Sequence, residues 1–397
     1  MQHQFEAYYN SNNGTGIYCR GIKSFIKIDR IEGAIKKLDD FLLNHSHSFI
    51  AIALSYELKN DIEALHSSKP DKTNFPAFIA VVPQSIYKFK NGKVKHQSGK
   101  KINPEILKNI TSECNKNYDR ISFRARTSKQ RYLSMVEKLK SHIQNGDIYE
   151  VNYCQEYFAE NIEIKNPFSL FNKVNAITKA PYAVYFNFDE YFVMSGSPER
   201  FVQKKGRNLI SQPIKGTIKR GSHDDEDRML KEKLYNDPKE RSENVMIVDL
   251  VRNDLSKLAK KNSVKVDELF SIYTFQTVHQ MISTVSCDLR EDLSFADIIK
   301  ATFPMGSMTG APKISAMNLI NKYEDFARGI YSGSIGYLKP NGDFDLNVII
   351  RTLIYNSDNK YLSCPVGGAI TIKSDPENEY NECIVKVGKI LETLGNE

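Results

Sequence analysis

The sequence predicts an α+β fold, and two patterns in its 397 residues support this prediction. Short alternating runs of apolar and polar residues, typical of half-buried strands, follow one another through the middle of the chain. They occupy residues 182–188, 191–195, 201–203 and 208–211. On both sides of this meander, apolar residues recur at helical spacing. Hairpins that are separate in sequence from helices are typical of the α+β class.

We predict an N-terminal α+β region over residues 1–115 and a larger domain over 116–397. A chain of this length buries ample core in one elaborate domain or two. The N-terminal region carries one helix signal and three strand signals, at residues 31–42, 49–55, 75–82 and 87–95. The last of these contains Asn91-Gly92, a strong hairpin turn.

Capping residues mark the helices of the larger domain. Ser128 caps a first helix that Gly146 ends, and a polar helix covers residues 224–235. Asp237 precedes Pro238, which is the arrangement expected where a helix begins. Ser374 is predicted to cap the last helix in the same way.

The composition limits the classes of function. The net charge is +7, but Lys and Arg are scattered among acids and form no long basic block, so a basic cleft for a small dianion explains the balance as well as nucleic acid does. Six cysteines show no CxxC spacing, which predicts neither a zinc site nor a disulfide framework. Reduced thiols, and a first stretch without an apolar signal segment, favour a cytoplasmic protein. We expect no membrane partner.

One carboxylic acid and one lysine stand out within the meander. Glu199 follows a Gly-Ser-Pro turn, and Lys215 lies between Pro213-Ile214 and Gly216-Thr217. Hairpins would place both at turns or strand ends, where rigid strands present side chains to a cleft. The alternative is that both are ordinary surface residues, which is common for Glu and Lys.

Two predicted helix starts each carry a pair of glutamates three residues apart. The pairs are Glu240 with Glu243, and Glu379 with Glu382. Magnesium prefers oxygen ligands and takes one or two carboxylates with substrate oxygens and water, so the pairs suggest a metal site. The alternative is acidic first turns that the helix dipole favours.

Anion-binding features follow later in the chain. Residues 303–313 contain Ser307 and Thr309 in a glycine-rich turn before a helix, which suits a carboxylate and does not match a P-loop. Arg351 follows an apolar run, where a buried guanidinium needs an anion and can bind a carboxylate with two hydrogen bonds. His279, judged alone, is more often a satisfied core histidine.

A series of motifs resembles the chorismate-utilising enzymes, which include anthranilate synthase, aminodeoxychorismate synthase and isochorismate synthase. The motifs are SGSPERF, QPIKGT, ENVMIVDLVRNDL, FPMGSMTGAPK, GSIGYL, DLNVIIRTL and VGGAITIKSDPENEYNE, and the resemblance covers about residues 127–394. Several long motifs in one order are more specific than any single one. The resemblance implies the anthranilate synthase component I-like chorismate-binding fold: large antiparallel sheets packed as a sandwich, with outer helices. It also implies chorismate as the substrate and residues 116–397 as the chorismate-binding catalytic domain.

The resemblance also implies roles for individual residues. Glu243 and Glu382 correspond to the main Mg²⁺ ligands, and Glu240 and Glu379 to a second tier. Arg351 and Tyr337 would hold the pyruvyl carboxylate, and His279 would face the ring. Further substrate contacts are implied at Ser307, Thr309, Gly367, Gly368 and Lys386. Glu150 stands at a pocket position where the family usually has Gln, and an extra anion there is costly unless it is protonated or paired.

The residue at position 215 distinguishes the activities of this family. Anthranilate synthases resemble PIAGT, whereas PIKGT resembles aminodeoxychorismate synthase component I. The resemblance then implies that Lys215 attacks chorismate while Glu199 acts as the acid, so the pKa of Lys215 must fall and that of Glu199 must rise. The sequence shows no glutaminase signature, so a glutamine amidotransferase partner is expected to supply ammonia. Anthranilate or isochorismate synthesis remains an alternative, and a basic nucleic-acid-binding protein is a remote one.

Overall fold

The computed structural model describes residues 3–63, 65, 69–103, 107 and 120–395, and it has the predicted α+β architecture. Its strands are β1 Phe5–Asn10, β2 Thr15–Ile28, β3 Ile50–Leu54, β4 Phe78–Lys90, β5 Lys93–Gly99, β6 Arg124–Ala125, β7 Glu150–Ala159, β8 Tyr182–Phe188, β9 Tyr191–Ser197, β10 Arg200–Lys205, β11 Asn208–Gln212, β12 Ile214–Lys219, β13 Lys265–Thr274, β14 Val278–Asp288, β15 Gly310–Ala311, β16 Ser334–Leu338, β17 Phe344–Asn347, β18 Thr352–Asn356 and β19 Tyr361–Ile370. Its helices are α1 Ala34–Asn44, α2 Lys59–Ile62, α3 Lys129–Gln144, α4 Pro167–Thr178, α5 Asp224–Asn236, α6 Pro238–Ser256, α7 Phe295–Thr302, α8 Lys313–Tyr323 and α9 Pro376–Thr393.

The strands pair as one continuous antiparallel sheet. Its path runs β7–β19–β18–β9–β8–β1–β2–β4–β3–β16–β17–β10–β11–β14–β13. The short strand β15 pairs with β7, and β12 pairs with β14. Two clusters of buried apolar side chains fill the space between the sheet and its helices. No helix in the described ranges is long and apolar enough to cross a membrane.

The predicted N-terminal elements match the observed ones closely. The helix signal corresponds to α1, and the hairpin turn at Asn91-Gly92 joins β4 to β5 with both residues at positive φ. The predicted boundary near residue 115 lies outside the described residues. Strand β1 pairs with β8, and β3 pairs with β16, so the sheet joins the two predicted regions.

Helix caps follow the sequence signals with one exception. Ser128 accepts a hydrogen bond from the Arg131 amide, and Asp237 accepts from the amides of Lys239 and Glu240. The predicted cap at Ser374 is wrong, because Asp375 is the residue that caps α9. Ser374 instead accepts a hydrogen bond from the Thr371 amide in the preceding turn. Its hydroxyl is therefore used before the helix begins.

Candidate active site

A cavity of about 580 Å³ opens between the first turns of α6 and α9 and the strands β12 and β19. Most of the predicted site residues line it: Glu199, Lys215, Glu240, Glu243, Ser307, Arg351, Gly367, Glu379, Glu382 and Lys386. These residues come from distant parts of the sequence, and the continuous sheet brings them together. The cavity thus contains both acids and bases around a volume that suits a small molecule.

Glu199 lies in the short connection between β9 and β10, where the backbone fixes it. Its carbonyl accepts from the Val348 amide at 3.0 Å, and its own amide donates to Ser197 Oγ at 3.3 Å. Ser307 Oγ donates to Glu199 Oε1 at 2.6 Å. Burial raises the pKa of Glu199 to about 7, although Ser307 and Lys215 oppose the shift. The predicted rise is therefore present, and the group can hold a proton near neutral pH.

Lys215 is directed into the cavity by an irregularity in β12. The register with β14 shifts between Ile214 and Thr217, and Gly216 between them adopts φ 87°. A Cβ atom on Gly216 would approach Leu234 Cδ1 at 2.9 Å, so only glycine fits. Bulges of this kind re-aim a side chain next to an active site.

The charge state of Lys215 differs from the expectation. Its Nζ donates to Glu150 Oε1 at 2.5 Å and lies 3.9 Å from Glu243 Oε2. Burial lowers the pKa of Lys215, but the two carboxylates outweigh this effect and raise it overall. A lowered pKa is thus wrong for this state of the protein, because Glu150 provides a buried counter-charge. Glu150 is paired, as its buried position requires, and lies behind Lys215 rather than at the cavity wall.

The two predicted glutamate pairs meet across the cavity. Lys239 lies among them, with Nζ 3.5 Å from Glu379 Oε1 and 3.9 Å from Glu243 Oε1. Lys386 contacts Glu382 at 2.7 Å and lowers its pKa against the effect of burial. Burial raises the pKa of Glu243 to about 7 and also raises that of Glu240. Crowded carboxylates in this state are favourable surroundings for an added cation.

The carboxylates of the cavity are hard oxygen donors, the kind that a divalent metal ion such as Mg²⁺ prefers. In the described part of the chain, no three His, Cys, Asp or Glu side chains stand together as a metal cluster. Glu243 Oε1 is nevertheless buried without a hydrogen-bond partner there, and its neighbours across the cavity are also carboxylates. A hard oxygen donor set with one unsatisfied buried atom suits Mg²⁺. The glutamates therefore fit the ion. In this structure the ammonium groups of Lys239 and Lys386 lie among them.

Arg351 lies on the cavity wall in a strained conformation, with φ 52°. Its guanidinium makes no ion pair with any described acidic residue, and burial lowers its pKa against the opposing effect of Tyr331. Positive φ in a residue with a side chain costs about 1–3 kcal/mol and is found where function requires it. An unpaired guanidinium at a cavity wall is suited to an anion.

The structure does not bring the predicted partner of Arg351 into the same cavity. Tyr337 lines a different cavity, of about 990 Å³, where its ring packs against Tyr9 and Phe49. Tyr331 is the tyrosine that lines the same cavity as Arg351. Tyr337 lies within β16, and Tyr331 lies six positions before it. Tyr331 precedes β16 in a turn that carries no strand signal.

Two more predicted residues do not reach the cavity wall. Thr309 is fully buried and its hydroxyl bonds the carbonyls of Met305 and Gly306, so it closes the turn that presents Ser307. His279 is 1% exposed and contacts Asp227 at 2.9 Å and Thr274 at 3.0 Å. Its strand neighbours line the cavity, so alternation turns His279 to the other side. This geometry fits a buried structural histidine whose two ring nitrogens both have hydrogen-bond partners.

The predicted glycines allow close packing beside the cavity. A Cβ on Gly367 would meet Cys154 Sγ at 2.4 Å, and one on Gly368 would meet Glu379 Oε2 at 3.4 Å. Lys386 donates to the Gly367 carbonyl at 3.0 Å, which connects α9 to β19.

Sequence reasoning missed Lys239 and Asn152, which also line the cavity. Asn152 lies two residues after Glu150 on β7, so strand alternation could have identified it.

Comparison with known proteins assigns the class of enzyme that this fold and cavity indicate. Residues 9–392 match the chorismate binding enzyme family, and the chain belongs to that family. It is 39% identical over 273 residues to aminodeoxychorismate synthase component 1 of Klebsiella aerogenes, which is 69% of this chain and 60% of that protein. It is 35% identical over 273 residues to anthranilate synthase component 1 of Aquifex aeolicus, covering 69% and 54% of the two chains.

A solved structure confirms the fold. Anthranilate synthase component I from Streptococcus pneumoniae superposes with a TM-score of 0.81 at 26% identity, covering 95% of this chain and 92% of that one. The predicted family and fold class are both confirmed. The chain matches less than two thirds of the length of the curated relatives above.

Proposed function

We propose that this chain is an aminodeoxychorismate synthase component I, which converts chorismate and ammonia to 4-amino-4-deoxychorismate for 4-aminobenzoate and folate synthesis. The observation that carries the proposal is the placement of Lys215 and Glu199 in one cavity with Arg351, whose guanidinium has no ion pair among the described residues. The cavity then offers an amine, a carboxyl group of raised pKa and an anion-binding group. The similarity to aminodeoxychorismate synthase component 1 supports this choice.

In the proposed reaction the dianionic substrate binds with one carboxylate on Arg351. Nζ of Lys215 first releases a proton to solvent through the open cavity, and its lone pair then forms a bond to ring carbon 2. The ring double bonds shift, and the bond between carbon 4 and its hydroxyl breaks. Glu199 supplies the proton with which this hydroxyl leaves as water, which its pKa of about 7 permits.

The second displacement returns the enzyme to its starting state. Ammonia forms a bond to carbon 4, the ring double bonds shift back, and the bond between carbon 2 and Nζ breaks with its electron pair returning to Lys215. The new group at carbon 4 forms as an ammonium, and one of its protons returns to Glu199. Both residues are then recovered, so Lys215 acts as a covalent catalyst. The new amino group therefore replaces the departed hydroxyl on the same ring carbon.

We also propose Mg²⁺ as the cofactor, held by Glu243 and Glu382 with Glu240 and Glu379 in outer positions. The ion would neutralise the carboxylates that face the substrate and supply electrostatic stabilisation. Glu243 is the first candidate ligand because its Oε1 is buried and unsatisfied among the described residues. Lys239 and Lys386 are the cations that would have to move aside.

The source of ammonia is proposed to be a separate glutamine amidotransferase subunit, since relatives of this chain are named as component 1 of their enzymes. We propose the cytoplasm as the location, because the described cysteines are all buried and free, as is usual in a reducing compartment. No nucleic acid or membrane partner is required.

A second candidate is anthranilate synthesis, favoured by the similarity to the Aquifex enzyme and to the Streptococcus structure. Chorismate, Mg²⁺ and ammonium chloride, with products identified by mass and retention time, distinguish the two activities. We expect 4-amino-4-deoxychorismate. Anthranilate or isochorismate as the main product would contradict the proposed function.

A further inference from the structure

Glu150 and Lys215 form a buried contact that the proposed reaction does not by itself require. Nζ of Lys215 lies 2.5 Å from Glu150 Oε1, and this is the hydrogen bond that the structure gives to Nζ. Glu150 is 1% exposed and does not line the cavity, whereas Lys215 does. The Glu150 carboxylate therefore binds the amine on the side away from the cavity.

The backbone around Glu150 is rigid, so the carboxylate is a fixed point. Glu150 begins β7, where it pairs with Ala311 of β15. Gly310 adopts φ 143°, and a Cβ atom there would come within 2.2 Å of the Glu150 carbonyl. The amide of Tyr149 donates to the Ala311 carbonyl at 2.7 Å on the other side. A group on such a support can fix a flexible side chain within the tolerance that catalysis demands.

Lys215 has a second acidic neighbour that competes for it. Glu243 Oε2 lies 3.9 Å from Nζ, and Oε1 of the same side chain has no hydrogen-bond partner among the described residues. A lysine side chain has four rotatable bonds and binds as a point charge, so without a nearer partner it would move towards Glu243. The shorter contact with Glu150 keeps the amine on β12 and away from the first turn of α6.

We propose that Glu150 is a positioning residue that fixes the amine of Lys215 for attack on the substrate and keeps it away from Glu243. This inference rests on the proposed function, in which Lys215 is the nucleophile. Glu150 acts through Lys215 and does not touch the substrate. A displacement of about 1 Å at a reacting atom can lower a rate by roughly 100-fold, so such a residue has a measurable effect.

The chain offers a matched control on the same strand. Glu156 is also buried and forms a 2.5 Å ion pair, with Arg126. It lies six positions along β7 and does not line the cavity. The variants Glu150→Gln and Glu156→Gln therefore make the same chemical change in the same strand. Replacing a buried ion pair can be neutral or harmful to stability, so stability alone does not decide the question.

The test compares turnover with the reactivity of one amine in the full-length protein. Each variant is assayed with chorismate, Mg²⁺ and ammonium, and is separately acetylated with a water-soluble acetyl ester without substrate. Peptide mass spectrometry then gives the acetylated fraction of Lys215. For Glu150→Gln we expect kcat to fall roughly 10- to 100-fold, KM to stay the same or fall, and acetylation of Lys215 to rise. Glu156→Gln should change none of these values.

Three results would overturn the inference. The first is an unchanged kcat in Glu150→Gln. The second is a lower kcat with unchanged acetylation of Lys215, which would indicate a structural effect. The third is an equal loss in Glu156→Gln. If Glu150→Gln does not fold, Glu150→Asp keeps the carboxylate one methylene further back, and an intermediate kcat is expected. Full 4-amino product from Lys215→Ala would instead refute the nucleophilic role of Lys215, and anthranilate as the main wild-type product would refute the proposed function. In both cases acetylation of Lys215 in the Glu150→Gln protein would still report on the ion pair.

Discussion

Ser307 Oγ donates a 2.6 Å hydrogen bond to Glu199 Oε1, and this contact joins two turns that are 108 residues apart in the sequence. A hydrogen bond to a carboxylate favours its charged form, so Ser307 lowers the pKa of Glu199 while burial raises it. The balance leaves the pKa at about 7. The acid strength of Glu199 is therefore adjusted by Ser307, a residue in the glycine-rich turn.

We predict that kcat/KM falls above pH 7, where Glu199 loses the proton that the leaving hydroxyl needs. The activity falls rather than rises because the pKa of Glu199 is raised to about 7. Glu199 is protonated below this pH and loses its proton as the pH rises through the pKa. Ser307→Ala removes the opposing hydrogen bond, so the descending limb should move to higher pH. A pH profile of both proteins checks this, and a limb that moves to lower pH in Ser307→Ala would contradict it.

Lys215 separates the proposed activity from that of relatives with alanine at this position. Lys215→Ala should lose the 4-amino product, because no amine remains to displace the hydroxyl through carbon 2. Lys215→Arg keeps the charge but not a nucleophilic amine, so it should also lose the product. Intact mass of the wild-type protein with chorismate and no ammonia checks for an adduct at Lys215. Strong 4-amino product from Lys215→Ala would rule out the nucleophile.

Arg351 is expected to bind a substrate carboxylate with two hydrogen bonds. Arg351→Lys should raise KM about 10- to 100-fold, since a hydrogen bond to a charged group contributes about 1.5–3 kcal/mol. Steady-state kinetics with chorismate measure the effect. Arg131→Lys is a suitable control, because Arg131 pairs with Asp325 at the surface and does not line the cavity. Equal KM values in the wild type and Arg351→Lys would refute this role.

The proposed metal site can be tested by binding as well as by activity. Glu243→Ala and Glu382→Ala should weaken Mg²⁺ or Mn²⁺ binding in calorimetry and should abolish turnover, because each removes one carboxylate from the shared cluster. Glu377→Ala is the control: this glutamate is on the first turn of α9, is half exposed, and pairs with Lys129. Full activity of the wild-type protein in chelator would exclude a metal requirement.

Local sequence signals predicted the secondary structure and much of the cavity. Glu199, Lys215, Ser307 and Arg351 follow turns or strand ends, and such positions are readable from glycine, proline and alternation. Asp237 also capped its helix as predicted. These features depend on neighbours within a few residues.

The structure departs from the expectations where a partner is far away in the sequence. The pKa of Lys215 depends on Glu150, which is 65 residues before it. Tyr337 and His279 lie on strands whose inner and outer faces are set by pairing with other strands, and no local pattern fixes that choice. The resemblance to a family implied roles for Tyr337 and His279, but it does not show which face of its strand each side chain takes.

The pairing of β1 with β8 and of β3 with β16 bears on how the chain can be divided. The resemblance seen in the sequence begins near residue 127, yet a fragment from there onwards would lose the strands that pair with β8 and β16. Each would then expose a row of unsatisfied amides and carbonyls, which is a template for association with other chains. The N-terminal strands therefore cover edges of the sheet that would otherwise favour aggregation. A shortened version of the chain has to keep these strands.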